Sequence, residues 1–306
     1  INFIDHEGPF EPLGQAVVAG SILFIIAIIS LFISWEELKN SPIDPSFNEN
    51  LFWASGHVLQ FLNALLIVIA WYILGGLILG QPIIDPKTFK LILFIFSCIG
   101  AILLSLVLFL NPISNNGREA FTLAQYLMLP PVLAFLTGAI LKLVQLKYSF
   151  KKNLFKRPPF VALTLSLIVF SIGGLLGIFV DGTDTRTPAH YHGVIGGINL
   201  AFIGIFFYFF IPIIKIITNT NRSLLIILWS YAVGQTLHSL GLFFAGGYGA
   251  PRKTPGDLEG IAGLGAEISL YMMGIGAVIA VIGGILFVYI GAKTLVQISP
   301  CKKKSA

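Results

Sequence analysis

The chain has 306 residues, of which 56% are hydrophobic and only 11% charged, and its mean hydropathy is +0.89. Soluble domains carry about 25% charged residues, so a soluble fold is excluded and an all-α membrane protein is expected. The formal charge of +5 is interpreted by where the basic residues fall rather than by its sum, because loop lysines and arginines set membrane orientation. No nucleic-acid partner follows from it. The two cysteines, Cys98 in an apolar run and Cys301 in the tail, rule out a disulfide framework and a cysteine-based metal site. The first residues lack the basic, apolar and small-residue order of a signal peptide.

A helix needs about 20 apolar residues to cross the hydrocarbon core of a bilayer. Eight runs reach that length, near 13–35, 52–80, 90–111, 120–141, 160–180, 189–214, 223–246 and 261–292. An even number of spans puts both termini on one side. If that side is the cytoplasm, it holds Lys87, Lys90, Lys142, Lys147, Lys151, Lys152, Lys156, Arg157, Lys215, Arg222, Lys293 and Lys302 to Lys304. The other side keeps Lys39, Arg118, Arg186, Arg252 and Lys253. This bias predicts cytoplasmic termini. Short connections predict antiparallel neighbours in one bundle, a single domain over 1–306 with no internal repeat.

The histidines carry the chemistry. Ionisable residues inside a membrane span are costly and by default functional. Pro188-Ala189-His190-Tyr191-His192-Gly193 places two imidazoles at the start of span six. Positions two apart on a helix differ by roughly 200°, so His190 and His192 serve different neighbours and suit two adjacent metal centres. His57 lies six residues in from Leu51, and His238 eight residues before Gly246. With the predicted topology all four lie within roughly 12 Å of the outer surface at 1.5 Å per residue. His6, between Asp5 and Glu7, belongs to a polar, solvated stretch.

Four motifs now resemble the main subunit of the haem-copper oxidase superfamily. His190-Tyr191-His192 matches the His-aromatic-His of that family's tenth helix. Phe170-Ser171-Ile172-Gly173-Gly174-Leu175-Leu176-Gly177-Ile178 matches the end of its ninth, and Pro251-Arg252-Lys253 its Pro-Arg-Arg element. Trp53-Ala54-Ser55-Gly56-His57 matches the Trp-x-x-Gly-His of its sixth. The resemblance implies a chain similar to helices five to twelve, the C-terminal two-thirds of that subunit. It further implies one or two haems of b- or a-type, a high-spin position at His190, a low-spin position at His192, and Arg252 and Lys253 as partners of the propionates. Because the family's second helix supplies the other low-spin ligand, either another chain provides it or His238 replaces it.

The departures from the family decide the activity expected. Its copper needs three histidines, yet the connection after span three reads Ser114-Asn115-Asn116-Gly117-Arg118, and neutral amides are poor copper ligands. Phe61 stands where the oxidases have a redox tyrosine, Leu59 where many have a glutamate, and Phe135 near the lysine of a proton path. Copper is therefore not expected, and no catalytic residue is assigned. Bis-histidine pairs, His57 with His190 and His192 with His238, would bind haem with no open coordination position and transfer electrons. A His57→Ala variant is expected to lose low-spin absorbance, and an unchanged spectrum would sink the His57–His190 pairing. Glu267 at the start of span eight is expected to cap its helix or pair with Arg252 or Lys253.

The expected protein is an electron-transfer subunit of a respiratory oxidoreductase in a bacterial inner membrane, with its haems near the periplasmic side. Its partners would be other membrane subunits, including one bearing the first four helices, and cytochrome c or quinol. The alternatives are the catalytic half of a split oxidase or nitric oxide reductase completed by a companion chain, and a scaffold that has lost its cofactors.

Overall fold

The computed structural model describes residues 12–44, 46–147, 153–180, 184–216, 220–252 and 263–296. Among them eight helices are long and apolar enough to cross a membrane. They are α1 (Leu13–Leu38), α2 (Phe47–Leu79), α3 (Pro86–Phe109), α4 (Asn115–Ala124) continued through a 3₁₀ turn into α5 (Leu129–Lys147), and α6 (Pro158–Leu176), followed by α7 (Arg186–Ile205) continued into α8 (Ile211–Ile213), α9 (Asn221–Gly247) and α10 (Leu264–Val296). The chain divides into two compact units, 1–150 and 151–306.

In the first unit α2 is the central helix, and Trp71, Tyr72, Phe61 and Leu65 on it are fully buried. Tyr72 stacks on Phe89 of α3 at 3.9 Å between ring centroids, and Trp71 on Phe135 of α5 at 5.8 Å. Phe135 and Phe61 thus fill an aromatic core. Helix α2 starts earlier than the apolar pattern implies. Asp44 accepts hydrogen bonds from the backbone N–H and the hydroxyl of Ser46, at 2.8 and 2.7 Å, and fixes the turn that launches the helix at Phe47. The Ser46 hydroxyl is the main reason the Asp44 carboxyl is held below the ordinary carboxylate range. His57 accordingly lies ten residues into α2, about 15 Å from its start at 1.5 Å per residue, deeper than the count from Leu51. At the other end Gly80, with φ of 67°, closes α2 in the left-handed conformation that glycine adopts at no steric cost. Asp85 then caps α3 with Pro86 at its first position.

The second unit is α6 to α10. Its sixth apolar run is not one regular helix. Phe206–Phe210 form a π segment before α8, and Pro212, with no N–H to give to the carbonyl of Tyr208, accounts for the lost α-helical register there. Helices α9 and α10 pack backbone to backbone. A Cβ on Gly234 would lie 2.3 Å from Ala280 N, one on Gly241 2.3 Å from Met273 N, and one on Gly276 2.3 Å from His238 N. Steps along α9 from 231 to 234, 238 and 241 are matched by steps back along α10 from 283 to 280, 276 and 273. This antiparallel register of alternating three and four residues uses small side chains to bring two backbones together, as membrane helices do where lipid supplies no hydrophobic drive.

Candidate functional site

In the second unit the glycine motif of α6 lies directly beneath His190. The imidazole Nδ1 of His190 is 2.8 Å from the Gly173 carbonyl oxygen. A carbonyl only accepts, so Nδ1 carries the hydrogen and Nε2 keeps its lone pair. A Cβ on Gly177 would lie 2.5 Å from that Nδ1, which is why no larger residue fits under the ring. His192 turns the other way, toward α9. Its ring meets that of His238 at 4.7 Å between centroids and 88° between planes. The Nδ1 of His238 is 3.0 Å from the carbonyl oxygen of Met273 on α10, so His238 has the same tautomer as His190.

The entry to α7 is pinned to the exit of α9. Asp184 forms an antiparallel bridge with Pro251, the Thr185 N–H donates to Ala250 O at 3.0 Å, and the Thr185 hydroxyl donates to Leu242 O at 2.8 Å. Asp184 is 9% exposed and receives Arg186 at 2.6 and 2.7 Å. The start of α7 and the end of α9 are therefore held at one fixed corner, and Arg252 follows directly in a half-buried turn. Lys253 lies outside the described residues. Glu267 sits in the first turn of α10, where its charge suits the helix dipole.

His57, in the first unit, directs its Nδ1 to Trp53 O one turn back, at 2.7 Å. Its ring lies 4.9 Å from that of Trp53 and 6.5 Å from Phe121. The guanidinium of Arg118 covers the Trp53 ring at 4.0 Å, donates to Glu49 at 3.0 Å and also bonds Asn50, while Trp53 Nε1 donates to Arg118 O at 3.2 Å. No group of three or more His, Cys, Asp or Glu suited to a metal occurs among the described residues. Arg118, treated in the sequence only as a loop charge, is instead the tie between α4 and α2. Arg118→Ala is expected to lower stability by about 1–2 kcal/mol, most of it from the cation–π contact, since the ion pair is partly exposed. Arg118→Lys recovers under half of that, because an ammonium lacks the planar fork. Thermal unfolding in detergent measures both.

Residues 13–286 match the family model for cytochrome c and quinol oxidase polypeptide I. The chain belongs to that family. It is 30% identical over 90% of its length to an uncharacterized protein of Rickettsia prowazekii (strain Madrid E), and 30% identical over 53% of its length to an uncharacterized protein of Aquifex aeolicus (strain VF5). A cryo-EM structure of a heme-copper terminal oxidase dimer superposes on it with a TM-score of 0.70, covering 94% of this chain at 18% identity, and shows the fold. The chain spans 61% and 38% of the two relatives' lengths and 56% of that oxidase chain.

The haem expected of this family is tested by the donor chemistry of these side chains. Histidines that bind a metal almost always give their other ring N–H to a carbonyl or carboxylate, which fixes the tautomer and orients the ring. His57, His190 and His238 all do so, through Nδ1 to a backbone oxygen. The residues present thus fit a haem iron bound through Nε2. In this conformation His192 and His238 touch ring to ring. For the two to hold one group between them, their side chains would have to swing apart.

Proposed function

We propose that the protein is a haem-bearing electron-transfer subunit of a respiratory oxidoreductase, with His192 and His238 as the ligands of one low-spin haem. The observation that carries this reading is the meeting of His192 with His238, the latter with Nδ1 committed to Met273 O and Nε2 left as a metal donor. A bis-histidine haem accepts and returns one electron without an open coordination position. The protein's own residues do the rest. The corner at Asp184 to Arg186 sets the height of α7 against α9, Met273 O orients His238, and Arg252 with Lys253 supplies cations for the propionates, where an arginine pairs bidentately.

The bias of basic residues supports cytoplasmic termini, with the histidine sites toward the outer face. Both curated relatives are bacterial proteins, which supports a bacterial inner membrane. The family's membership of multisubunit membrane complexes supports further membrane subunits and a cytochrome c or quinol partner. The reading assigns no copper here, because Arg118 and Trp53 flank His57 where metal ligands would be needed.

The test is a reduced-minus-oxidised spectrum with and without carbon monoxide, alongside copper and iron analysis of the purified complex. Low-spin haem without a carbon monoxide shift and without copper is expected. A carbon monoxide-reactive haem with a stoichiometric second metal overturns the reading in favour of a catalytic centre.

A further inference from the structure

Below the two histidines, α7 and α9 meet in four successive rungs. His192 faces His238. A Cβ on Gly193 would lie 3.6 Å from the hydroxyl of Ser239, and one on Gly196 3.1 Å from the side chain of Gln235. Asn199 Nδ2 donates to the hydroxyl oxygen of Tyr231 at 2.7 Å. On α7 the rungs run from 192 to 199, a rise of about 10 Å. On α9 residues 231, 235 and 238 share one face by their spacing of four and three. Glycine thus stands opposite the two middle polar side chains, and a polar group is present at every level.

The hydrogen bonding of this ladder is incomplete in a specific way. Among the described residues, buried Ser239 Oγ and Gln235 Oε1 have no partner. Ser239 is 0% exposed. Several hydroxyls in the membrane helices turn back onto the carbonyl four residues earlier, as Ser30, Ser97, Ser105, Thr122 and Ser269 do at 2.7 to 3.1 Å, whereas Ser34 and Thr164, like Ser239, have no partner among the described residues. Ser239 instead leans across toward Gly193. Tyr231 accepts from Asn199, so its own proton remains to be given. The ladder therefore holds a donor in Tyr231, an acceptor in Gln235 and a hydroxyl capable of both in Ser239. Unpaired polar groups at membrane depth are costly. Water donates two hydrogen bonds and accepts two, and buried waters typically make about three bonds to such groups.

We propose that the α7–α9 seam is an internal water-binding site, in which bound water joins Tyr231, Gln235 and Ser239 along the seam beside His192 and His238. The site gives the histidine pair a polar, hydrated flank. It stands on the geometry of α7 and α9 alone and does not depend on the haem reading.

X-ray radiolytic footprinting tests it, because hydroxyl radicals form at bound water and modify the side chains that touch it. The full chain is reconstituted in nanodiscs, irradiated for microseconds in isotopically labelled water and mapped by mass spectrometry. Tyr231 is expected to be modified several-fold faster than the fully buried Tyr72. Because Tyr231 is itself only half-buried, the deciding comparison is a Ser239→Ala, Gln235→Met double variant, in which its rate falls several-fold. Wild-type Tyr231 reacting no faster than Tyr72 overturns the proposal, and this comparison holds even if the double variant does not fold. An unchanged rate in a folded double variant overturns it equally. The absorbance of the same sample reports haem separately, so failure of the water site and failure of the haem reading are distinguishable.

Discussion

On the proposed ligation, His192→Ala is expected to yield a folded protein without low-spin haem absorbance, and His238→Ala the same. Each ring is half-buried and the two meet each other, so truncation is expected to lower stability by about 1 kcal/mol, the ordinary scale of a single substitution. The expected effect on haem is much larger, because each of the two imidazoles would supply one of the bonds that hold it. Pyridine haemochrome content per chain and the reduced α-band measure the loss, and the thermal midpoint serves as the folding control. Comparison with His190→Ala tests whether the other histidine of α7 takes part. His190 leans on Gly173 and Gly177 of α6 and has no part in the His192–His238 contact, so its loss leaves that band in place. Retention of the low-spin band in both His192→Ala and His238→Ala would mean that the pair does not bind the iron.

Why this site was partly legible in the sequence follows from the solvent the chain folds in. Apolar runs must form helices to satisfy their backbone in lipid, so the eight spans follow from composition alone. Their ends depend on local chemistry that hydropathy does not capture, such as Asp44 and Ser46 launching α2 four residues before Leu51, or Pro212 forcing a π segment. His190, His192, His57 and His238 stand out because histidine is expensive at such depth. Their Nδ1 partners do not stand out. Gly173, Trp53 and Met273 each contribute a backbone carbonyl, and a backbone atom leaves no mark on residue type. Arg118 was visible only as one of few basic residues on its side, and its seat on Trp53 depends on how α4 packs against α2. The partition into two compact units has no compositional signature either, since its boundary falls among the lysines of an ordinary connection.

Gly276→Val is expected to lower both stability and haem content. A Cβ there would sit 2.3 Å from His238 N, 2.8 Å from Gly234 O and 2.8 Å from the carbonyl carbon of Leu237. All three are backbone atoms, so no rotamer change relieves the clash and α10 must move away from α9. Extra methyl groups in a packed core cost about 1–3 kcal/mol, and a forced separation of two backbones belongs at or above the top of that range. The displacement also pulls Met273 O from the Nδ1 of His238, now 3.0 Å apart. The orienting bond is lost together with the packing, and such outer-shell losses weaken metal binding by about 10- to 100-fold. The variant therefore unfolds at a lower temperature and retains little low-spin haem even when assembled in the membrane. Gly274→Val is the matched control. A Cβ on Gly274 meets no atom within 4 Å, so the same substitution two residues away changes neither haem content nor thermal midpoint. Equal behaviour of the two variants would show that the close approach of α9 and α10 does not hold His238 in place.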